Sequence, residues 1–398
     1  MFTPEGNTTK ILPIDISKIE FADSPEAISP VLPALPDPNT LALQEAADII
    51  KTESAPIAFP TETVYGLGAS ALSTDAVRGI FAAKNRPSDN PLIVHISSID
   101  QLRRVLKTEI PQVYKPLVEA FWPGPLTIIL PLPTSGGATP VISPACTPGQ
   151  STFGVRMPAH KVARALIALS DLPLAAPSAN ASTRPSPTTA QHVYTDMKGR
   201  IPLILDGGPC GVGVESTVVD GTVFPPKILR PGGVSAEMIR KAGGLAWEGV
   251  ISGPSEAKDN ESVRTPGMKY RHYSPTTKVV LVVGDHDGSL ISSSLITSAA
   301  LASSFQHFKV VVLTASSFDL SKWPSSVKTY ITRVIPLGTD RPSIARNLFA
   351  ALRDADENSG DIDLILVEGI DDADEGLAIM NRLRKAASEI YEQGRKVK

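Results

Sequence analysis

Two short runs in this 398-residue chain combine cations with hydroxyl and amide groups at close spacing: Lys84-Asn85-Arg86, and later Ser178-Ala179-Asn180. Arg156 and Arg230 each end a short apolar run, and His95 lies inside Leu92–Ile96. Every one of these has a structural reading when taken singly. Lys84 and Arg86 close a helical pattern running from Thr74 through Ile80 and Phe81, and basic residues in a last helical turn ordinarily answer the helix dipole. Small polar residues behind Leu174-Ala175-Ala176 ordinarily form a turn, buried arginines pair with carboxylates, and a buried histidine is usually satisfied by the backbone. On one shared surface, however, Lys84, Arg86, Arg156 and Arg230 would form a receptor for phosphate or carboxylate oxygens.

Two glycine-rich runs are decoys. Gly66-Leu67-Gly68-Ala69-Ser70-Ala71 fits the GxGxxA spacing of dinucleotide sites, but that fingerprint needs a helix opening on its glycines. The helix cap comes later here, at Ser73 or Thr74, so these glycines are read as turn or close-approach residues. The run from Gly207 to Thr217 lacks the Gly-Lys-Ser/Thr ending of a phosphate loop. Cys146 and Cys210 stand far apart without CxxC spacing, which suggests neither a disulfide framework nor a zinc site.

The elements that must position these groups are legible as an α/β pattern. Residues 1–37 are proline-rich without a sustained period and read as an extended arm. Asp37 and Pro38 then cap and open an amphipathic helix through Ile50, leading into a short strand from Pro56 to Phe59. Strand-like runs follow at 91–97, 125–130, 153–157, 173–177, 201–206, 216–220 and 227–230; the last two are close enough for a hairpin, hence a mixed sheet. This gives a domain over 38–243. Residues 244–276 turn polar and glycine-rich, as a linker does. Beyond them, over 277–398, strand candidates at 278–283, 308–314, 330–337 and 362–368 alternate with helical stretches near 290–303, 341–354 and 375–392, the pattern of a smaller Rossmann-like, doubly wound sheet.

Composition limits the function classes. With 38 basic against 41 acidic residues and a net charge of −3, nothing global attracts the chain to a nucleic-acid backbone. No stretch approaches the ~18 apolar residues of a membrane span, and the N-terminus has neither secretory nor mitochondrial character, so a cytoplasmic protein is expected.

In combination the motifs are specific. The Lys-x-Arg and Ser-x-Asn signatures are flanked by Phe59-Pro60-Thr61-Glu62-Thr63-Val64-Tyr65-Gly66-Leu67, Trp122-Pro123-Gly124-Pro125-Leu126-Thr127 and Leu229-Arg230-Pro231-Gly232. With them the chain resembles the YrdC-type threonylcarbamoyl-AMP synthases over nearly its whole length. The second domain and the run Pro266-Gly267-Met268-Lys269-Tyr270-Arg271-His272-Tyr273-Ser274-Pro275 resemble the long, two-domain form, found among fungi, archaea and many bacteria. The resemblance implies a twisted mixed sheet in the first domain. It also implies a nucleotidyltransferase that joins L-threonine, bicarbonate and ATP into threonylcarbamoyl-AMP and pyrophosphate.

Carried over residue by residue, the resemblance makes Lys84, Arg86, Ser178 and Asn180 catalytic. ATP contacts fall to Arg86, Asn90, Thr152, Asn180, Arg230 and Tyr273, with Ser186 and Thr188 alongside them. Threonine contacts fall to Thr61, Thr63, His95, Arg156, Ser178 and Ser216, with Arg156 the natural partner of a carboxylate. Magnesium is expected to arrive with the triphosphate rather than in a protein cage. The run containing Gly267, Lys269, Arg271, His272 and Tyr273 is a candidate lid, since carbamates lose carbon dioxide in water. The product is expected to pass to a separate transferase complex that modifies tRNA, with no stable tRNA grip by this chain and no membrane contact. The competing reading is an RNA-binding module without catalysis; low aromatic content and the lack of a basic stripe oppose it.

Overall fold

The computed structural model describes residues 8–21, 30–53, 55–132, 134–135, 139–252, 272–285, 287–289, 291–302 and 308–398. The chain divides into two units, one holding residues up to 182 and 186–270, the other Thr183–Pro185 and Arg271–Lys398.

The first unit is built on one eleven-stranded mixed sheet. Its elements are β1 (Lys10–Pro13), α1 (Pro38–Asp48), β2 (Ile57–Phe59), β3 (Gly66–Ser70), α2 (Thr74–Lys84), β4 (Ile93–His95), α3 (Lys115–Phe121), β5 (Leu126–Pro131) and β6 (Thr152–Arg156). They continue with α4 (Lys161–Ser170), β7 (Leu174–Ala175), α5 (Ala190–Met197), β8 (Leu203–Asp206), β9 (Thr217–Asp220), β10 (Lys227–Arg230), α6 (Ala236–Gly243) and β11 (Ile251–Ser252). The strand order is β1-β8-β2-β3-β7-β4-β6-β5-β9-β10-β11. The mixed sheet and the β9–β10 hairpin are as the sequence implies, the hairpin pairing antiparallel. Within the proline-rich N-terminal stretch the structure adds a strand that periodicity does not reveal, β1, which pairs parallel to β8.

Local chemistry sets the helix starts. Asp37 accepts the Asn39 and Thr40 N–H groups with Pro38 in the first turn of α1, and Ser73 caps α2 through the Ala76 N–H. The glycines read as turn or close-approach residues form a strand, β3, that the apolar runs do not reveal; the turn reading fails and the close approach holds, since a Cβ on Gly68 would stand 2.5 Å from the Phe59 ring.

Residues alternate across the sheet, so its two faces differ. Val94, Phe153, Val155, Leu126, Ile128, Leu130 and Val219 point into a large core with Val77, Ile80 and Phe81 of α2. On the opposite face α1 and α4 cover the β8, β2 and β7 side through Leu43, Ala46, Leu166, Ile57, Phe59, Leu174 and Leu205. Farther along, that face carries a small apolar group, Ile93, Ile129 and Val218 with Leu229 beside them, around Gly154.

The second unit comprises β12 (Val279–Val283), α7 (Ile291–Ala302), β13 (Val310–Thr314), β14 (Ile331–Pro336), α8 (Arg341–Asn358), β15 (Leu364–Glu368), α9 (Gly376–Ala386), β16 (Glu389–Glu392) and β17 (Arg395–Lys396). The order is β14-β13-β15-β12-β16-β17, parallel except for β17. Its inner strands are continuous buried aliphatic runs, while the edge strand β14 alternates in exposure, as expected of a sheet covered on both faces.

One expectation fails here. The pattern read as helix over 375–392 ends at Ala386, and Glu389–Glu392 forms a strand parallel to β12. Ile379, Leu383, Ala386 and Ile390 continue the helical period, but the open hydrogen-bonding edge of β12 takes the segment instead, starting with Ser388 N–H on the Val279 carbonyl at 2.8 Å. In this unit Arg353, 1% exposed, donates to the Pro185 carbonyl at 3.1 and 2.6 Å and pairs with Glu357 at 3.2 Å; Glu357 also pairs with Arg184.

Candidate active site

Strand register gathers the candidate residues onto the face that carries Gly154. Arg156 is the partner of His95, and Gly154 that of Ile93; Val218 pairs with Thr127 and with Arg230, while Leu174 pairs with His95. Paired residues point to the same side and alternate residues return to it. His95, Thr152, Arg156, Thr127, Ser216, Arg230 and Ser178 therefore share the face floored by Ile93, Ile129 and Val218. A Cβ at Gly154 would meet Thr127 Cγ2 at 3.2 Å and Ile93 Cγ1 at 3.6 Å, so glycine keeps the middle of that floor low.

The two signature runs are physically joined. Asn85 takes a left-handed φ of 49° after α2, with its N–H on the Ala82 carbonyl and that of Arg86 on Phe81, a Schellman ending that turns the chain sharply at Arg86. Lys84 does not lie on a polar helix end. It is 2% exposed, and its ammonium donates to the Ser178 carbonyl, to the Asn180 carbonyl at 2.6 Å and to Asn180 Oδ1 at 3.4 Å. Ser182 Oγ closes the junction from the other side, donating to the Lys84 carbonyl at 2.9 Å. The Ser178 hydroxyl donates to Asn180 Oδ1 at 2.5 Å, which fixes the amide so that its nitrogen reaches the Ala181 carbonyl.

A second network surrounds Arg156, which is 4% exposed. Its Nε donates to the Gly124 carbonyl at 3.1 Å, one terminal nitrogen to Thr63 Oγ1 at 3.0 Å, and the other to Glu62 Oε1 at 2.6 Å. Glu62 Oε2 accepts the Ala159 N–H at 3.0 Å, so both carboxylate oxygens are used. Thr61 Oγ1 lies 2.8 Å from Thr63 Oγ1. Glu62 is a member of this site that reading residue types passed over; its signal was its place between the two threonines, on the same short run.

The third group centres on Ser216. Arg230 donates through Nε and a terminal nitrogen to the Ser216 carbonyl at 3.1 and 2.9 Å, and to Ser216 Oγ at 3.0 Å, while Thr127 Oγ1 lies 2.8 Å from Ser216 Oγ. In the sequence Thr127 stands out only as part of a flanking motif. His95 is buried, 4% exposed. Burial, with Arg156 and then Arg230 nearby, pushes its pKa down to about 3, and Nδ1 lies 3.1 Å from the Ile93 carbonyl. The Leu174 backbone also bonds this ring, and since a neutral imidazole has a single proton it donates to one of the two carbonyls at a time.

The remaining candidates are more dispersed. Asn90 is 1% exposed and its Oδ1 has no hydrogen-bond partner among the described residues, an orphan acceptor that a ligand donor would satisfy. Thr152 opens β6, partly exposed. Ser186 is fully buried and donates to Glu215 at 2.6 Å, and Thr188 contacts His192. Tyr273 belongs to the second unit, where its ring stacks on Phe349 with centroids 5.1 Å apart. Gly267, Lys269 and Arg271 of the candidate lid lie outside the described residues.

Lys84, Arg156 and Arg230, all nearly buried, thus stand with hydroxyls, carbonyls and a neutral imidazole on or beside one sheet face. Fold and site define a two-unit α/β protein equipped to hold small anions by fixed cations. Residues 49–232 match the family model described as "Telomere recombination", and residues 234–388 match that described as "Threonylcarbamoyl-AMP synthase, C-terminal domain". The threonylcarbamoyl-AMP synthase of Schizosaccharomyces pombe is 49% identical over 96% of this chain and 98% of its own, and that of Bacillus subtilis 44% identical over 88% and 94%. A crystal structure of Pyrococcus abyssi Sua5 complexed with L-threonine superposes with a TM-score of 0.78 at 41% identity, covering 96% of this chain and 99% of that one. The chain belongs to the two-domain, Sua5-type threonylcarbamoyl-AMP synthases, which are nucleotidyl-transferring enzymes. That membership displaces the non-catalytic RNA-binding reading. No helix among the described residues is long and apolar enough to cross a membrane.

Proposed function

We propose that this chain condenses L-threonine, bicarbonate and ATP into threonylcarbamoyl-AMP with release of pyrophosphate, acting in the cytoplasm and supplying the threonylcarbamoyl group to a separate transferase complex that modifies a tRNA adenosine. What carries the reading is the convergence of Arg156, Arg230 and His95 on one face, in a chain alike over 96% of its length to a protein solved with L-threonine.

In this reading the threonine amine takes up carbon dioxide or bicarbonate, and a carbamate oxygen attacks the α-phosphorus of ATP. No protein nucleophile is needed; the site must align the reactants and neutralise charge on the α-phosphate and the leaving pyrophosphate. Arg156 holds the threonine carboxylate with its remaining N–H groups, Thr63, His95 and Ser216 read the rest of the amino acid, and Ser178 borders both. Arg86 and Arg230 face the phosphates, Lys84 fixes the Ser178–Asn180 run against the end of α2, and Asn90, Thr152 and Asn180 meet the nucleotide. Ser186, Thr188 and Tyr273 are assigned to the same nucleotide on resemblance alone. Magnesium is expected to come with ATP, held by triphosphate oxygens and water. When bound with ATP, that ion would offset phosphate charge.

The test is pyrophosphate release from Mg-ATP by the purified chain, omitting threonine and bicarbonate in turn. Release requiring both is the expected result. Release with threonine alone in carbon-dioxide-free buffer would mean ordinary amino-acid adenylation, and no release would overturn the reading.

A further inference from the structure

The hydrogen-bond directions around Thr63 can be worked out atom by atom. Thr61 Oγ1 lies 2.6 Å from the Val64 carbonyl oxygen, which can only accept, so the single hydroxyl proton of Thr61 points there. The 2.8 Å contact between the two threonine hydroxyls then has one possible donor, Thr63. The N–H groups of Thr63 and Val64 also reach Thr61 Oγ1, at 3.2 and 3.3 Å; that oxygen has two lone pairs, so these longer contacts share the one that the shorter bond from the Thr63 hydroxyl leaves. Thr63 Oγ1, having given its proton to Thr61, accepts from Arg156 at 3.0 Å, and Glu62 holds that guanidinium from behind. One lone pair on Thr63 is left over. Both threonines are buried, at 2% and 0% exposure, so solvent does not scramble these directions.

From this accounting we infer that Thr61 is a positioning residue that never needs to touch substrate, and that it locks the Thr63 hydroxyl as a hydrogen-bond acceptor for an N–H or O–H of the amino-acid substrate. The inference rests on the threonine-dependent reaction proposed above. A freely rotating hydroxyl at this point would serve donor and acceptor groups alike. A locked acceptor beside Arg156 favours a ligand that brings a carboxylate to the cation and a donor to the hydroxyl, as an amino acid does.

The experiment measures L-threonine affinity by calorimetry, and the steady-state constants for threonine and ATP, in Thr61→Val, Thr61→Ser, Thr63→Val and the Thr61→Val/Thr63→Val double variant of the full chain. Thr61→Val is expected to weaken threonine binding at least tenfold while the KM for ATP and kcat at saturating threonine stay within twofold. Thr61→Ser restores affinity, and the double variant binds no worse than Thr63→Val, since Thr61 acts only through that hydroxyl. Wild-type affinity in Thr61→Val, or additive losses in the double variant, would overturn the inference alone; a wild-type chain that binds no threonine would overturn the functional reading with it. If Thr61→Val does not fold, Thr61→Cys serves, its sulfur being a weak acceptor: a partial loss supports the inference and wild-type affinity overturns it.

Discussion

Replacing Lys84 with methionine keeps the length and apolar stem of the side chain and removes only the ammonium. In the structure that ammonium donates to the Ser178 and Asn180 carbonyls, which lie on a loop wrapped around the end of α2. Each charge-assisted bond contributes about 1.5–3 kcal/mol. Part of that total is offset because methionine no longer has to bury a charge at a site 2% exposed. The net expected loss is about 2–4 kcal/mol, or roughly 4–8 °C in the melting temperature of a unit this size. Catalysis should fall by more than a hundredfold, since Ser178 and Asn180 lose their anchor. Urea denaturation followed by tryptophan fluorescence, beside the pyrophosphate assay, reads both quantities. A variant of wild-type stability that is nonetheless inactive would refute the clamp and place the ammonium on substrate phosphates in the working enzyme.

Two further outcomes follow from the buried charges. Glu62→Gln leaves Arg156 without its counter-charge and sets an amide N–H against either Arg156 or the Ala159 N–H, so it should cost about 2–4 kcal/mol and raise the threonine KM roughly tenfold with the ATP KM unmoved; unchanged denaturation and kinetics would contradict it. His95, with its folded pKa down at about 3 against an ordinary value near 6.5, binds its proton more readily when unfolded, so its contribution is complete above about pH 6.5 and is lost as pH falls toward 3. His95→Gln should flatten the stability profile across that window, and the ring should show no titration by NMR between pH 5 and 8; a midpoint near 6.5 in the folded protein would disprove the burial argument.

The sequence by itself determined much of this. Caps and breakers placed α1 and α2, apolar runs placed most strands of the first unit other than β3, and the motif runs named the residue types and the family. These are local properties, written in neighbouring side chains and their spacing. What the tertiary structure decided was pairing. Lys84 read as a solvated helix end because its helical position says nothing about a loop almost a hundred residues later, whose carbonyls turn it inward. Glu62 became part of the site only through Arg156 on a distant strand. The stretch Glu389–Glu392 kept a helical period yet became a strand, because the free edge of β12 offered hydrogen bonds that no local pattern records. The direction of the Thr63 hydroxyl likewise depends on which neighbours have already spent their single proton, a question of three-dimensional contact that composition and periodicity do not contain.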